Sequence, residues 1–401
     1  MKAGWTTVKL GEIAEIYNGN TVSDEDKKRL IAFPNAGLAF IATKDVGFDG
    51  VINYDNGINI PGDEAGDFKV ARKNAVLVCA EGGSAGRKIG HIDRDVHFGN
   101  KLFALNASSA VLPRYLYHYC LSEDFRKKFK GLMAGLIGGV SVAKFKQIEI
   151  PLPPLAEQKR IVALLDEAFA GIDAAKAKAE ESLRLAHAAF KAQLQSAFGR
   201  RGPNWVDRTL EEVSTTFGRG KSKHRPRNAP HLYGGKYPFI QTGDIRSANH
   251  TITEYSQTYS DAGLAQSKLW PKGTICITIA ANIAETAILD FDACFPDSVI
   301  GVVADPKIAD IGYIEYVLQS LKARLQSMGK GSAQANINMG TFENERFPFP
   351  PVAEQRKMVS LLDTLSIHAH ELAGLYEAKE AALSELKNSL LSQAFAGELT
   401  A

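Results

Sequence analysis

The densest group of functional side chains in the chain is a cationic segment, GRGKSKHRPR, at 218–227. Its glycines and proline disfavour a regular helix, so we expect an exposed loop. Lysine and arginine bind phosphates, and arginine can also donate two hydrogen bonds to the O6 and N7 atoms of guanine. The segment therefore predicts contact with DNA, with a solvated surface loop as the alternative. Its basic residues are Arg219, Lys221, Lys223, Arg225 and Arg227.

Further candidates for DNA contact lie in both halves of the chain. Glutamine and asparagine side chains match the edge of adenine in the major groove. In the EGGSAGRK segment at 81–88, glycines would let the backbone approach a phosphate closely, although a structural β-turn explains these glycines equally well. The candidates are Lys44, Ser84, Arg87, Lys88 and Lys101 in the first half, and Arg246, Gln334, Asn336 and Asn338 in the second.

Motifs that would indicate catalysis or metal binding are incomplete. The string GRGKS at 218–222 resembles the end of a phosphate-binding loop, but the first glycine of that motif falls on Thr215. Asp297 and the later Asp305-Pro306-Lys307 imitate a nuclease carboxylate pair, but no glutamate supports them. The four cysteines are far apart and include no CxxC pair, which indicates buried thiols. We therefore predict no catalytic residue, no metal and no cofactor.

A repeated segment must position these candidates. Residues 151–166 read PLPPLAEQKRIVALLD and residues 348–363 read PFPPVAEQRKMVSLLD, with ten of sixteen positions identical. The same offset of 197 residues, from 151 to 348, relates LQSAF at 194–198 to LSQAF at 391–395. A repeat of this kind fixes the order of the chain as domain, helix, domain, helix.

Each copy of the repeat leads into a long helical pattern. Apolar residues of the first helix alternate spacings of three and four, and a period of 3.5 marks a seam that packs against another helix of similar length. Each helix is the best candidate partner for the other, and about 44 residues would span roughly 65 Å, which predicts a spacer. The expected seam is Val162, Leu165, Phe169, Ile172, Ala179, Leu183, Ala186 and Phe190 in the first helix, and Val359, Leu362, Leu365, Leu372, Leu375, Leu383, Leu386 and Leu390 in the second.

The segments before the helices have the pattern of irregular mixed domains. Short β-rich runs, such as AVLVCA at 75–80 and TICITIA at 274–280, lie between turn residues. One helix is expected late in each segment, at 113–130 and at 311–328. The predicted fold is α+β, with two irregular α/β domains separated by two long antiparallel coiled-coil-like helices in a pseudo-twofold internal repeat. The predicted boundaries are 1–150 for the first domain, 151–198 for the first helix, 199–347 for the second domain and 348–401 for the second helix.

Composition is that of an ordinary globular protein. Lysine and arginine number 47 against 45 aspartate and glutamate, so the net charge of +2 neither proves nor excludes an anionic partner. The N-terminal MKAGWTTVKL has no apolar run for a signal peptide, and no stretch reaches the ~18 apolar residues of a membrane span. The expectation is a cytoplasmic protein without a membrane partner.

The duplicated module resembles the specificity subunit of Type I restriction–modification systems. The resemblance covers the whole chain and rests on PLPPLAEQ and PFPPVAEQ, each followed by a long helix, and on a Trp and Leu-Gly-Glu-Ile-like opening of each domain. It implies two target recognition domains in a subunit without chemistry of its own. Such a subunit binds double-stranded DNA and docks two methyltransferase subunits and, in some systems, two restriction subunits. Two unlike domains imply a bipartite, asymmetric DNA site.

The helix-start motif, defined as 153–158 in the first copy and 350–355 in the second, is the best candidate for partner docking. Prolines fix the chain direction, and an acid in the first turn favours the positive helix end. This structural role does not demand Ala-Glu-Gln at both sites, whereas two identical partners would. Exposed faces of the distal helices are the alternative location. The docking candidates are Pro153, Pro154, Glu157, Gln158, Pro350, Pro351, Glu354 and Gln355.

Two other classes of protein remain open from the sequence. A stand-alone nuclease or methyltransferase would need a metal-binding or cofactor-binding motif, and PLPPL and PFPPV lack the amide or acid that would hold a target amine. A coiled-coil adaptor would ignore DNA. Salt-dependent binding of DNA distinguishes the adaptor from a recognition subunit.

Overall fold

The computed structural model describes residues 4–23, 25, 37–63, 65–134, 138–199, 201–224, 226–248, 250–280, 283–329 and 339–399, without the side chains of 323–329, 341 and 343. The chain divides into two compact units. The first unit is Met1–Glu180 with Glu377–Ala401, and the second is Glu181–Tyr376. Each unit therefore contains one β-rich domain, the start of one long helix and the end of the other.

The first unit contains two four-stranded sheets and a two-stranded ladder. Its strands are β1 (Thr6–Lys9), β2 (Ala14–Asn18), β3 (Leu38–Ile41), β4 (Asn59–Ile60), β5 (Val70–Ala71), β6 (Val76–Cys79), β7 (Ile89–His91), β8 (Val96–Phe98), β9 (Leu102–Ala107) and β10 (Glu149–Leu152). One sheet is antiparallel with the order β2-β9-β6-β7, and the other has the order β4-β3-β8-β5 with β3 parallel to β8. The ladder joins β1 to β10, just before the first long helix.

The helices of the first domain are short. They are α1 (Leu10–Ile13), α2 (Pro113–Leu121), α3 (Glu123–Leu132) and α4 (Val142–Phe145), with a 3-10 turn at Thr43–Asp45. The expectation of a single helix at 113–130 is wrong, because the chain is extended at Ser122, with φ −68° and ψ 157°. The Ser122 hydroxyl accepts the Phe125 amide at 3.2 Å and so starts a new helix there.

The core of the first unit follows from strand alternation. All four residues of β6 are buried, which explains its uninterrupted apolar run. Val76 and Val78 pack with α2 and the long helices, whereas Leu77 and Cys79 pack on the opposite face with residues of the second sheet. The antiparallel sheet is thus buried on both faces, between the helices and the second sheet.

The second unit repeats this topology with different residues. Its strands are β11 (Val206–Arg208), β12 (Ser214–Arg219), β13 (Tyr233–Phe239), β14 (Thr251–Ile252), β15 (Gln257–Tyr259), β16 (Leu269–Trp270), β17 (Ile275–Thr278), β18 (Thr286–Leu289), β19 (Ala293–Cys294), β20 (Val299–Ala304) and β21 (Phe347–Phe349). The sheet order β12-β20-β17-β18 matches β2-β9-β6-β7, with β14 added at the edge. The order β15-β13-β19-β16 matches β4-β3-β8-β5, again with one parallel pair in the middle.

The helices of the second half complete the element order. Among the described residues, the remaining helices are α5 (Leu155–Gly199), α6 (Thr242–Ser247), α7 (Asp261–Ala265), α8 (Ile311–Gly329), α9 (Met339–Glu343) and α10 (Val352–Ala396), with a 3-10 turn at Pro230–Leu232. The long helices α5 and α10 have 45 residues each. None of the described helices combines the length and apolar character that a membrane span requires.

Within each unit, parts of the two long helices pack antiparallel. In the first unit, the Lys176 ammonium donates to the Ser384 hydroxyl at 2.8 Å, and Lys387 lies 3.4 Å from Asp173, so residue numbers run in opposite directions. In the second unit, Leu194 packs with Leu362 and with Tyr316 of α8. This arrangement confirms the predicted fold, in which the two long helices pair with each other in antiparallel orientation.

Two residues of the predicted seam in α10 do not lie on it. Leu375 is 67% exposed and Leu386 is 47% exposed. The less exposed face of the helix instead contains Leu372, Tyr376 and Leu383, which are four and then seven residues apart. Leu375 lies on the solvent side of this face. A straight helix has 3.6 residues per turn, so a strict 3.5 period cannot hold along all of it.

The end of each long helix closes the core of a unit. The Phe395 ring lies 5.3 Å from both Tyr115 and Tyr119 in the first unit. The Phe198 ring lies 5.4 Å from Tyr313 in the second unit. Phe198 and Phe395 are the last residues of the repeated LQSAF and LSQAF strings. The repeated residues at the end of each long helix are therefore explained by packing against the domain.

We expect Phe395→Ala to destabilise the first unit and Phe198→Ala the second, each by about 2–3 kcal/mol, because each ring is partly buried against a tyrosine of the domain. Hydrogen exchange under native conditions measures the loss of protection unit by unit. Leu386→Ala, at an exposed position of the same helix as Phe395, is the control and should change stability by less than about 0.5 kcal/mol. Equal losses in both units from either variant would contradict this assignment.

Candidate nucleic-acid interface

A groove of about 500 Å³ opens in the first unit where three strands end. We call it the first groove. Three segments and Ile58 line it: Asn20–Val22 after β2, Phe40 with Ala42–Lys44 at the end of β3, and Gly99–Lys101 between β8 and β9. Its lining combines apolar residues such as Val22, Phe40 and Ile58 with lysine and asparagine residues. Concave sites with a few polar groups are the usual form of a binding site.

Backbone hydrogen bonds hold the three segments together. The Asn20 amide donates to the Phe98 carbonyl at 2.9 Å, and the Gly99 amide donates to the Ile41 carbonyl at 2.9 Å. A Cβ atom at Gly19 would collide with the Phe98 carbonyl, so only glycine permits this approach. The Asp45 carboxylate accepts the Ala42 amide at 2.9 Å and fixes the turn after β3.

A second groove, of about 220 Å³, lies at the equivalent strand ends of the second unit. We call it the second groove. A Cβ atom at Gly220 would collide with the Phe295 carbonyl, as at Gly19 and Phe98. The Asp244 carboxylate accepts the Gln241 amide at 2.8 Å, as Asp45 does for Ala42. The residues that line the second groove are Ser222, Arg227, Tyr233, Phe239, Gln241, Thr242, Pro296 and Ser298.

Two of the predicted lysines in the first unit lie in the first groove. Lys44 is exposed on the 3-10 turn, and Lys101 is exposed and lies 3.1 Å from Glu81. Lys88 lies beside the groove, since its ammonium donates to the carbonyl of Thr43, a groove residue, at 3.0 Å. Arg87 and Lys88 both lie over the ring of Phe48. Ser84 has a backbone role, because its carbonyl accepts the Arg87 amide at 3.0 Å.

The cationic segment of the second unit follows the second groove. Asp297 holds two of its arginines, with the Arg219 Nε donating to the Asp297 carbonyl at 2.8 Å and the Arg227 guanidinium 2.9 Å from the Asp297 carboxylate. Lys221 and Lys223 are exposed on either side of the groove residue Ser222. Arg225, Gln334, Asn336 and Asn338 lie outside the described residues.

Arg246 lines a different pocket. That pocket, of about 550 Å³, also includes His250, Lys322 and Lys191. Arg246 is exposed there, on α6. The structure therefore separates Arg246 from the side chains that line the second groove.

Sequence reasoning missed several side chains of the grooves. Asn20 and Asn100 line the first groove, and Gln241, Thr242 and Ser298 line the second. Burial, together with the charge of Lys221, lowers the pKa of Lys268, which lies 3.5 Å from the centre of the Trp270 ring and adds a cation near the segment. The repeated strings FIATKDV at 40–46 and FIQTGDI at 239–245 were the available signal, because both grooves begin at these strings.

The helix-start motif is largely buried. Gln158 is fully buried: its carbonyl accepts the Leu112 amide at 2.8 Å, and its amide donates to Pro153 at 2.9 Å and Ala110 at 3.1 Å. Gln355 is fully buried in the same way, bonded to Asp310 at 2.8 Å, Pro350 at 2.7 Å and Ile308 at 3.1 Å. A partner that leaves this fold intact can reach only the exposed neighbours.

The exposed and half-buried members of the motif form its outer side. Pro154 and Pro351 are exposed, Glu157 is half-buried, and Glu354 is exposed and accepts the Trp205 indole N–H at 3.1 Å. Pro153 and Pro350 are buried. Docking of a partner through the motif stays a prediction, and it now applies only to the residues on the outer side of the motif.

Comparison with known proteins assigns the sequence to a family. Residues 2–183 and 203–375 each match the family model of the Type I restriction modification DNA specificity domain. The chain belongs to this family. Each of its two specificity domains matches one copy of the model, which agrees with the internal repeat.

Relatives cover most of the specificity chain. It is 22% identical to the Type I restriction enzyme StySPI specificity subunit of Salmonella potsdam, over 99% of this chain and 90% of that protein. It is 25% identical to the Type I restriction enzyme EcoKI specificity subunit of Escherichia coli strain K12, over 78% of this chain and 71% of that protein.

Solved structures share the fold of the specificity chain. A chain from the structure described as "Structural basis underlying complex assembly and conformational transition of the type I R-M system" has a TM-score of 0.81 at 20% identity, covering 100% of this chain and 99% of that chain. The HsdS subunit from Thermoanaerobacter tengcongensis has a TM-score of 0.60 at 22% identity, covering 100% and 98%. At these identities the likeness shows the fold.

Each specificity unit contains a histidine that lies beside a carboxylate of a long helix. The pKa values of these two histidines are shifted in opposite directions. Burial lowers the pKa of His118, which lies between Asp166 and Arg114, to about 4. Burial also acts to lower the pKa of His250, but the hydrogen bond and charge of the fully buried Glu315, at 2.7 Å, and the charge of Asp363 hold that pKa above its ordinary value. His250 also stacks on Tyr316 at 4.8 Å.

We expect opposite pH dependences of stability in the two units. The protonated His250 stabilises the second unit fully below about pH 6.5, and this contribution is lost as the pH rises through the higher pKa of the folded state. The first unit requires neutral His118, so it loses stability as the pH falls below about 6.5. Urea titrations at several pH values, with each unit followed by mass-spectrometric footprinting, measure both trends. His250→Gln should flatten the trend of the second unit, and His118→Gln should reduce that of the first without removing it, because burial also lowers the pKa of His91 there to about 4. Parallel trends in the wild type would contradict the expectation.

Proposed function

We propose that the chain is the DNA sequence-specificity subunit of a Type I restriction–modification enzyme and that each groove reads one half of a bipartite, asymmetric site. The observation that carries this proposal is the pair of equivalent grooves, which lie at the same strand ends and are lined by different side chains. Two unlike readers in one chain require two unlike half-sites. The relatives named as specificity subunits support the same function.

The groove chemistry suits double-stranded DNA. Lysines and arginines around each groove supply phosphate contacts, which fix position, and amide side chains inside supply hydrogen bonds to base edges, which specify sequence. Asn100 has this role in the first groove and Gln241 in the second, whereas the Asn20 side chain accepts the Lys69 amide at 2.8 Å and is structural. Arg219 and Arg227 are held in place by Asp297, so less side-chain freedom is lost when they bind.

Modification and cleavage belong to partner subunits in this proposal. The specificity subunit is non-catalytic, acts in the cytoplasm, and docks two methyltransferase subunits and, where the system has them, two restriction subunits. The repeat supports two equivalent docking sites, because Leu164 and Leu361 occupy the same position of the two copies and are 41% and 55% exposed. We place each docking site at the outer side of the helix-start motif together with this leucine.

The first prediction from the proposed function concerns the second groove. Gln241→Ala should relax recognition at one base pair of one half-site by about 1–3 kcal/mol, because an amide that matches a base edge is lost. Arg227→Ala should lower the salt slope of binding by about one, because a phosphate contact is lost. Methylation sequencing of the reconstituted enzyme reports the recognised sequence, and binding at several salt concentrations reports the slope.

Arg184→Ala is the matched control for the groove variants, because Arg184 is an exposed arginine of α5 that pairs with Glu181 at 2.6 Å. It should leave the recognised sequence and the slope unchanged. Relaxation of both half-sites by Gln241→Ala would contradict one reader per half-site. A wild-type complex whose DNA binding does not depend on salt would contradict the proposed function.

The second prediction concerns stoichiometry. The saturated wild-type complex should contain two methyltransferase copies per chain, and Leu164→Asp or Leu361→Asp should each reduce this number to one, because a charge would be buried in an apolar contact. Native mass spectrometry counts the subunits. Leu185→Asp is the control, since Leu185 is 53% exposed on α5 but its counterpart in the repeat is Ala382. A wild-type limit of one copy would refute the two-site arrangement.

A further inference from the structure

The tip of one turn in the first unit carries two exposed apolar side chains. Phe48 is 62% exposed and Val51 is 64% exposed, more than any other large apolar side chain described in that unit. Burial of a phenylalanine contributes about 1.5–3 kcal/mol to folding. The first unit forgoes most of this contribution at Phe48, so the ring is available for contact with a partner.

The turn that carries Phe48 is fixed at its base. Val46 and Ile52 are buried and form an antiparallel bridge, and the Gly47 amide donates to the Val51 carbonyl at 2.8 Å. The Asp49 carboxylate accepts the Val51 amide at 3.0 Å. The apolar tip is therefore presented by a short, hydrogen-bonded turn, so little order must be gained when the tip binds.

Two cations, Arg87 and Lys88, lie close to the Phe48 ring, and Lys88 connects it to the first groove. The Arg87 guanidinium carbon lies 5.0 Å from the ring centre and the Lys88 ammonium lies 5.2 Å from it. Lys88 also donates to the Thr43 carbonyl in the groove. Of the two acids in this segment, Asp45 is bonded to the Ala42 amide and Asp49 to the Val51 amide. An apolar ring between cations matches a partner that is both anionic and aromatic, as stacked base pairs between phosphates are.

We propose that Phe48, with Val51 beside it, inserts as an apolar wedge between two base pairs of the half-site that the first groove binds, and kinks the DNA at that step. The wedge rests on the proposed DNA-recognition function. Arg87 and Lys88 contact the phosphates on either side of the opened step. Insertion of apolar side chains between base pairs unstacks them and bends the duplex.

The wedge belongs to the first unit only. The segment of the second unit that corresponds to the Phe48 turn follows Ile245 and contains Arg246, Ser247 and Ala248, with Ser247 at the position of Phe48. None of these side chains is a large apolar group. Distortion is therefore confined to one half-site, which makes the two halves mechanically as well as chemically unlike.

The test uses the full chain with its methyltransferase partner and a duplex that contains the site found by methylation sequencing. Placing 2-aminopurine at one position after another, apart from the bases that the methyltransferase itself flips out and modifies, reports unstacking as a rise in fluorescence, and energy transfer between dyes on the duplex ends reports bending. The wild-type complex should unstack one step of one half-site. Phe48→Ala should abolish both signals and weaken binding on the order of tenfold without changing the salt slope, because no phosphate contact is lost.

Phe48→Trp should keep the unstacking, and Tyr255→Ala, which removes a 47% exposed aromatic side chain of the second unit, should leave both signals unchanged. Unstacking that persists in Phe48→Ala, or salt-dependent binding by the wild type without any unstacked step, would overturn the wedge and leave the recognition function standing. A Phe48→Ala chain that loses methyltransferase copies but keeps the distortion would assign Phe48 to a protein contact and overturn the wedge. Failure of the wild-type complex to bind the duplex would overturn both proposals.

Discussion

One buried glutamine in each unit attaches the domain to its long helix, and the remaining structure depends on that attachment. The amide of Gln158 bonds three backbone groups, on both sides of the junction between domain and helix, and Gln355 does the same. Leaving a buried backbone group without a hydrogen-bond partner costs about 1–3 kcal/mol. An apolar residue in place of this glutamine would therefore destabilise the junction. The Tyr115 and Tyr313 hydroxyls add equivalent bonds to the carbonyls of Pro151 and Pro348, at 2.7 and 2.6 Å. The repeat is strongest here because the same bonds are made twice.

A fixed junction lets the rest of each domain diverge without moving its binding groove. The strand order is the same in both units, and the close approaches of Gly19 to Phe98 and of Gly220 to Phe295 set the same distance between the same loops. These constraints act through the backbone and leave the groove side chains unspecified. Ala42 and Gln241 occupy one equivalent position, and Asn100 and Asp297 occupy another. The groove side chains can therefore change by substitution while folding is maintained at the junction.

The sequence predicts what is local or repeated and misses what depends on contacts between distant strands. The repeat, the two mixed domains and the antiparallel seam are confirmed, because periodicity and identity are visible along the chain. The break at Ser122 was missed because a serine within an apolar helical pattern gives a weak signal until its hydroxyl caps the next helix. The grooves were found only in part, since Asn20, Phe40 and Asn100 meet through backbone bonds between segments far apart in sequence. Lysine and arginine indicated the cations at each groove, whereas the repeated strings FIATKDV and FIQTGDI were the signal available for the uncharged side chains.

The last aspartate of the repeated segment shows how the two copies can differ while serving one purpose. Asp166 accepts hydrogen bonds from Arg114 and from the neutral His118 of α2. Asp363, at the same position of the second copy, accepts the Tyr316 hydroxyl of α8 at 2.7 Å and lies 4.0 Å from His250. Both carboxylates tie a helix of the domain to a long helix, but the donors differ in type and in charge. The two copies of the repeat thus share the position of the hydrogen bond more closely than the type of side chain that donates it. Two grooves of one fold need the same tolerance of side-chain changes if each is to read a different DNA sequence.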